Sequence, residues 1–166
     1  MLREYKVHYP SEIGLLEIIG TADSIRAINF VEGEKVDQPL DQSDLPAAVA
    51  ACLAQLDEYF KGERRDFSLN LKPEGTAFQQ AVWQQLMAVR YGQTASYLDI
   101  ARRIGNEKAV RAVGAANGQN PIVIVVPCHR VVGSNGQLTG YGGGLWRKAW
   151  LLKHEKSFSS PQPALF

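Results

Sequence analysis

Five consecutive β-branched residues, Ile122 to Val126, run straight into Pro127, Cys128, His129 and Arg130. Such a run suits a short buried strand. Pro127 has no N–H to give to a ladder, so pairing weakens there and the chain turns. The pattern predicts a cysteine on the rim of a rigid element, facing whatever cavity the turn borders. A histidine, an arginine and a glycine-rich segment follow it. A thiol set beside bases and cations is how a protein obtains a thiolate at neutral pH.

The rest of the chain is ordinary globular material. Its 166 residues are 45% hydrophobic and 21% charged, enough for one sizeable core or two small ones. No apolar run approaches the roughly 18 residues that a membrane span needs. The N-terminal MLREYKVHYP lacks the apolar stretch of a signal peptide. Cys52 and Cys128 make no disulfide framework, which points to a reducing cytoplasm. Metal binding fails on inventory: there is no C-x-x-C, and the histidines sit apart at positions 8, 129 and 154. Neither a metal nor another cofactor is expected.

The formal charge of +1 conceals an asymmetry. Residues 1–72 hold 8 Lys and Arg against 13 Asp and Glu, a net of −5, whereas residues 73–166 hold 10 against 4, a net of +6. Only the second part has reason to approach a polyanion.

Organisation follows the same division. Tyr5–Tyr9, Gly14–Ile19 and Ser24–Val31 predict an antiparallel meander. A polar loop over residues 32–43 leads to a helix with Leu45, Val49, Cys52, Leu56 and Phe60 on one face, Asp44 as its cap and Cys52 packed in its apolar stripe. Asp66–Leu71 reads as one more short strand, and Pro73-Glu74-Gly75 as a boundary. Beyond it, Thr76-x-x-Gln79 and Ser96-x-x-Asp99 are capping boxes that open two helices, the first with Phe78, Val82, Leu86 and Val89 inward. Gly105-Asn106 ends the second, and a third runs from Glu107 to about Asn117. That pair has the form of a helix-turn-helix. Leu145–His154 predicts a last helix, its apolar side Leu145, Ala149 and Leu152, followed by a loose tail. The fold class is therefore α+β: a small N-terminal α/β domain, residues 1–72, then a mainly helical domain, residues 73–166.

Glu155 stands out at the end of that last helix, where the macrodipole disfavours a carboxylate by about 0.3–1 kcal/mol. It is either a tolerated surface acid or the third member of a triad that orients His129. Asn120 before Pro121 either forms a plain turn or braces the cysteine segment through backbone groups. Gly142–Gly144 is a flexible link or a set of free amides at a helix start.

The block RAVGAANGQNPIVIVVPCHRVVGSNGQLTGYGGG, with RKAWLLKHE after it, resembles the O6-alkylguanine-DNA alkyltransferases. The likeness is strong over residues 73–155 and looser at SEIG and LDEYFKGERRDF. It implies that Cys128 accepts an alkyl group from guanine O6 and keeps it as a thioether. His129, through a water, would take the thiol proton; Glu155 would orient His129, and Asn120 would brace the turn. Tyr97 would give a proton to the departing guanine. Arg111 would fill the stack vacated by the flipped nucleotide, with Ser96, Tyr97, Ala112 and Asn117 also on the DNA-binding surface. Val131, Tyr141, Gly142 and Gly143 would line the base pocket. Some relatives carry a serine in place of Gly142, so this pocket should admit bulkier alkyl groups; the cysteine-rich metal module of some bacterial members has no counterpart here.

Chemistry agrees with that implication. O6 is hidden in a duplex, so the nucleotide must be extruded at a cost of a few kcal/mol. Damage arises in any sequence, so phosphate and shape should dominate recognition, and an Ala/Gly-rich helix suits the narrow minor groove. Nothing in the chain removes a thioether, so the reaction is expected once per chain. The expected partner is double-stranded DNA carrying O6-alkylguanine, and O4-alkylthymine as well. No protein partner is implied, and the chain is expected as a monomer. Two other readings are a non-catalytic sensor of alkylated DNA, which Cys128 argues against, and a Cys-His-Glu hydrolase, for which no oxyanion-hole motif stands out.

Overall fold

The computed structural model describes residues 3–32 and 44–159. It comprises two compact units, Met1–Thr76 with Pro121–Val125, and Ala77–Asn120 with Val126–Phe166. The expected loop at 32–43 lies almost wholly outside the described residues, as does most of the tail.

The first unit is a three-stranded antiparallel sheet in the order β1 (Tyr5–Ser11), β2 (Gly14–Gly20) and β3 (Ile25–Val31), backed by α1 (Ala47–Phe60). Alternation decides which face is covered: Leu16 and Ile18 of β2 are fully buried, while Leu15, Glu17 and Ile19 between them are only partly so. Val49, Cys52, Leu56, Tyr59 and Phe60 bury one side of α1. Each fully buried Ile or Leu here contributes about 1.5–3 kcal/mol. Sheet and helix approach closely at Gly20, where a Cβ would stand 2.8 Å from a Val49 methyl and 2.9 Å from the Ser24 carbonyl. No larger residue fits there unless the backbone moves.

Three expectations for this unit change. Asp44 does not cap α1; Pro46 holds the cap position in extended geometry, without a side-chain bond. Asp66–Leu71 forms no strand but a single parallel bridge, Leu71 to Ile25, closed by Ile25 N–H to Asn70 O at 2.8 Å and Lys72 N–H to Ile25 O at 2.9 Å. The aliphatic run before Pro127 is no strand either. Ile122 bridges Ile28, through Ile28 N–H to Pro121 O at 2.9 Å and Val123 N–H to Ile28 O at 3.0 Å. The chain then turns at once, Val125 N–H bonding Val123 O at 2.8 Å and Ile124 sitting at φ +71°. That conformation is rare and strained for a β-branched residue.

The second unit contains α2 (Ala77–Leu86), β4 (Ala95–Ser96), α3 (Tyr97–Arg103), α4 (Val110–Gly118), β5 (Val131–Val132) and α5 (Leu145–Ser159). The Ser96–Asp99 capping box is complete in both directions, at 3.0 and 2.9 Å. Gly105, at φ +79°, makes the left-handed step that ends α3, and the Asn106 side chain accepts Lys108 N–H to start the turn into α4. The buried Trp83 indole donates to Ala116 O at 2.8 Å, pinning α2 to α4. A pairing with no sequence signal, β4 alongside β5 in parallel, joins Ala95 to Val131 and Ser96 to Val132.

The last helix presents a different face from the expected one. Leu145 and Trp146 are about half exposed, and the buried positions are Arg147, Lys148, Leu151, His154 and Glu155. Their spacing is helical, but four of the five are polar. The helix also continues one turn past His154, to Ser159.

Candidate active site

Cys128, His129 and Arg130 form a single turn of 3-10 helix, entered through Cys128 N–H to Val126 O at 2.8 Å. Asn120 holds the entry, its Nδ2 donating to the same Val126 carbonyl at 2.8 Å. Asn117 holds the middle, its Nδ2 donating to Cys128 O at 3.3 Å. β5 begins directly after Arg130, so its pairing with β4 sets Tyr97, the first residue of α3, in register with the cysteine turn.

The tight turn lets three consecutive side chains serve one centre. His129 is fully buried, and its Nε2 lies 2.7 Å from Glu155 Oε2. Arg130 donates Nε to Glu155 Oε1 at 2.7 Å, Nη2 to Oε2 at 3.1 Å and Nη1 to Val89 O at 2.7 Å. Its guanidinium also lies 5.6 Å from the Tyr91 ring centre. Burial opposes ionisation of Glu155, yet His129 and Arg130 outweigh it and hold the carboxyl well below the usual carboxylate range. With Nε2 so engaged, Nδ1 is the nitrogen left to accept a proton; it has no protein partner among the described residues.

The thiol is not the ready thiolate that its neighbours suggested. Burial pushes Cys128 up, against the pull of the Asn120 side chain, the Lys148 cation and the backbone N–H groups of Cys128 and His129. Desolvation wins, and the sulfur is a thiol in the free protein. Its activation therefore falls to a base.

Lys148 and Arg130 are the site residues that sequence reasoning passed over. Lys148 is fully buried, donates from Nζ to Thr139 O at 2.7 Å and lies 5.9 Å from the Tyr97 ring centre. Burial lowers its pKa, and Cys128 partly restores it. Thr139 in turn donates its hydroxyl to Tyr97 Oη at 3.1 Å. A lysine one helical turn before Leu152, on a helix that carries Glu155, is the signal that was present: seven residues place Lys148 and Glu155 on one face.

The other expected residues divide. Arg111 and Ala112 are exposed on α4. Ser96 spends its hydroxyl on the cap of α3. Asn117, expected on a DNA-facing surface, is buried and turned inward to the cysteine turn. Val131 is fully buried, and Gly142 is exposed with open space where a Cβ would go. Gly143 is fixed from α5, its carbonyl accepting from Arg147 Nη1 at 2.9 Å. The Tyr141 hydroxyl is buried, and burial together with nearby Cys128 raises its pKa well above the ordinary value.

A cysteine turn backed by a buried His-Glu-Arg cluster, on a unit that carries a helix-turn-helix, defines a class of DNA-directed cysteine acceptor. Comparison with known proteins agrees. Residues 77–157 match the family 6-O-methylguanine DNA methyltransferase, DNA binding domain, and residues 5–73 match its ribonuclease-like domain. A methylated-DNA–protein-cysteine methyltransferase of Methanosarcina acetivorans is 45% identical over 154 residues, covering 92% of this chain and 99% of the relative. One from Haemophilus influenzae is 48% identical, covering 92% and 86%. The crystal structure of Mycobacterium tuberculosis OGT in complex with DNA superposes with a TM-score of 0.82 at 44% identity, over 92% of this chain and 93% of that one. The chain belongs to the 6-O-methylguanine DNA methyltransferase family, the methylated-DNA–protein-cysteine methyltransferases.

Proposed function

We propose that this chain repairs double-stranded DNA by moving the alkyl group of O6-alkylguanine, and of O4-alkylthymine, irreversibly onto Cys128, once per chain. The observation that carries the reading is the buried thiol beside a histidine whose far nitrogen is engaged by Glu155. In the proposed reaction His129 Nδ1 takes the thiol proton through a water, and the sulfur attacks the alkyl carbon. The carbon–O6 bond breaks, leaving the electron pair on the base, and Tyr97 Oη supplies a proton to the departing guanine. Thr139 orients that hydroxyl. Asn120 and Asn117 hold the turn so that the sulfur does not retreat.

Arg111, exposed on α4 with Ala112, is assigned to the DNA: the arginine enters the stack and the small residue permits approach to the minor groove. Ser96 contributes through the start of α3 rather than its hydroxyl. Val131, Tyr141, Gly142 and Gly143 form the base pocket, and the open space at Gly142 favours substrates larger than methyl. No described helix is long and apolar enough to cross a membrane, in keeping with a proposed cytoplasmic location. We assign the working form as a monomer, with residues 1–72 as scaffold and residues 73–166 as the DNA-binding and acceptor part.

The test is stoichiometric. Duplex bearing O6-methylguanine is incubated with limiting protein and digested, and the remaining modified base is counted. Guanine restored in an amount that plateaus at one per chain is expected. Binding without restoration would indicate a damage sensor instead, and continued turnover would exclude an acceptor that keeps its alkyl group.

A further inference from the structure

Glu155 accepts from two side chains that compete for its charge. Oε2 takes both His129 Nε2 and Arg130 Nη2, while Oε1 takes Arg130 Nε. The guanidinium is itself buried and anchored at its third corner by the Val89 carbonyl, so it cannot swing away from the carboxylate. A lone buried carboxyl would lower its desolvation cost by taking up a proton. A protonated Glu155 would then donate to His129 Nε2, the imidazole proton would move to Nδ1, and the nitrogen needed as base would be blocked.

We propose that Arg130 is a positioning residue for alkyl transfer: its two-pronged grip keeps Glu155 an anion with both oxygens aimed at donors, and thereby confines His129 to the tautomer with hydrogen on Nε2 and a free lone pair on Nδ1. The inference rests on the proposed transfer to Cys128 for its consequence, but its physical core, control of the histidine tautomer, is separate. It assigns to Arg130 a task that packing alone would not require. An apolar residue could fill the volume; only a fixed cation can hold the carboxylate charged while leaving the imidazole neutral.

The experiment uses full-length protein labelled with 15N-histidine, as wild type, Arg130→Lys and Arg130→Gln. Three quantities are read: the imidazole 15N shifts of His129, the single-turnover rate on O6-methylguanine duplex, and affinity for unmodified duplex. The wild type should show a pyrrole-like Nε2 and a pyridine-like Nδ1. Arg130→Gln should lose that pattern and slow transfer by about 100-fold or more, as wrong-tautomer variants of catalytic triads do. Duplex affinity should hold within about 3-fold, because Arg130 is buried away from solvent. Arg130→Lys, which keeps the charge without the fork, should retain the tautomer and recover about 10-fold of the lost rate.

An unchanged tautomer in Arg130→Gln, or an Arg130→Lys rate no better than that of Gln, would overturn the proposal and leave Arg130 a packing residue. Should Arg130→Gln fail to fold, Arg130→Lys decides alone: the Nε2–H tautomer with slowed transfer supports the role, and either a lost tautomer or a wild-type rate refutes it. Absence of transfer in the wild type would refute the proposed function while the tautomer comparison still judged Arg130.

Discussion

Cys52 and Cys128 are both buried, both are free thiols, and burial raises both. Their surroundings differ. Cys52 sits in the apolar stripe of α1, where desolvation is the sole influence and lifts it to about 12. Cys128 sits at the start of a 3-10 turn where an amide side chain, a lysine and two backbone N–H groups all work against desolvation. One environment makes a cysteine inert; the other makes it a thiol that awaits its base. The lesson is that burial does not distinguish a structural cysteine from a reactive one. The polar groups buried with it do, and they are what the second unit supplies and the first does not.

The contrast can be broken most severely at Glu155. In Glu155→Gln the neutral amide leaves Arg130 as an uncompensated buried cation, at a cost of about 3–5 kcal/mol in chemical denaturation. Methyl transfer should also fall by about 10²–10⁴-fold in single-turnover assays, since His129 loses its orienting anion. The sign of the acid effect follows. The folded carboxyl is held below its ordinary value, so its stabilisation is full above the unfolded pKa of about 4.3 and is lost as pH falls. The wild type should therefore lose stability on acidification below about pH 5 more steeply than Glu155→Gln.

A smaller effect separates the cysteines from the alkaline side. Once pH passes about 8.5 the unfolded thiol of Cys52 ionises while the folded one stays protonated to about 12, so the unfolded state binds fewer protons and stability declines as pH rises. Cys52→Ala should flatten part of that decline. It should cost about 1–2 kcal/mol at neutral pH through the small cavity it leaves, with transfer to Cys128 unchanged. The smallest effect belongs to the surface. Arg102→Ala removes the exposed bond to Glu107 and should shift stability by less than about 0.5 kcal/mol, readable only as a slight change in denaturant midpoint.

The same contrast explains what could be read in advance. The meander was legible because Leu16 and Ile18 alternate with less buried neighbours, and α3 because Ser96 and Asp99 sit at box spacing. These are local codes. The turn at Ile122–Val126 was not legible: five β-branched residues say buried, and the strained φ at Ile124 is imposed by a bridge to Ile28, far away in sequence. The inward face of α5 was misread for a related reason. Arg147, Lys148 and Glu155 look like solvent residues until Gly143, Thr139, His129 and Arg130 are placed beside them. Within the site, Cys128, His129, Asn120 and Glu155 stood out through residue type, spacing and family resemblance. Arg130 and Lys148 did not, because the value of a buried cation depends on the anion or thiol that it meets.

The central claim is that chemistry at one of two buried thiols is decided by its polar neighbours. Peptide mapping by mass spectrometry after reaction with O6-methylguanine duplex tests it directly, for wild type, Cys128→Ser and His129→Ala. The account predicts one methyl, on the Cys128 peptide alone, none on Cys52 in any variant, and a trace or none in His129→Ala. Methyl on the Cys52 peptide, or full methylation of Cys128 at the wild-type rate without His129, would contradict it.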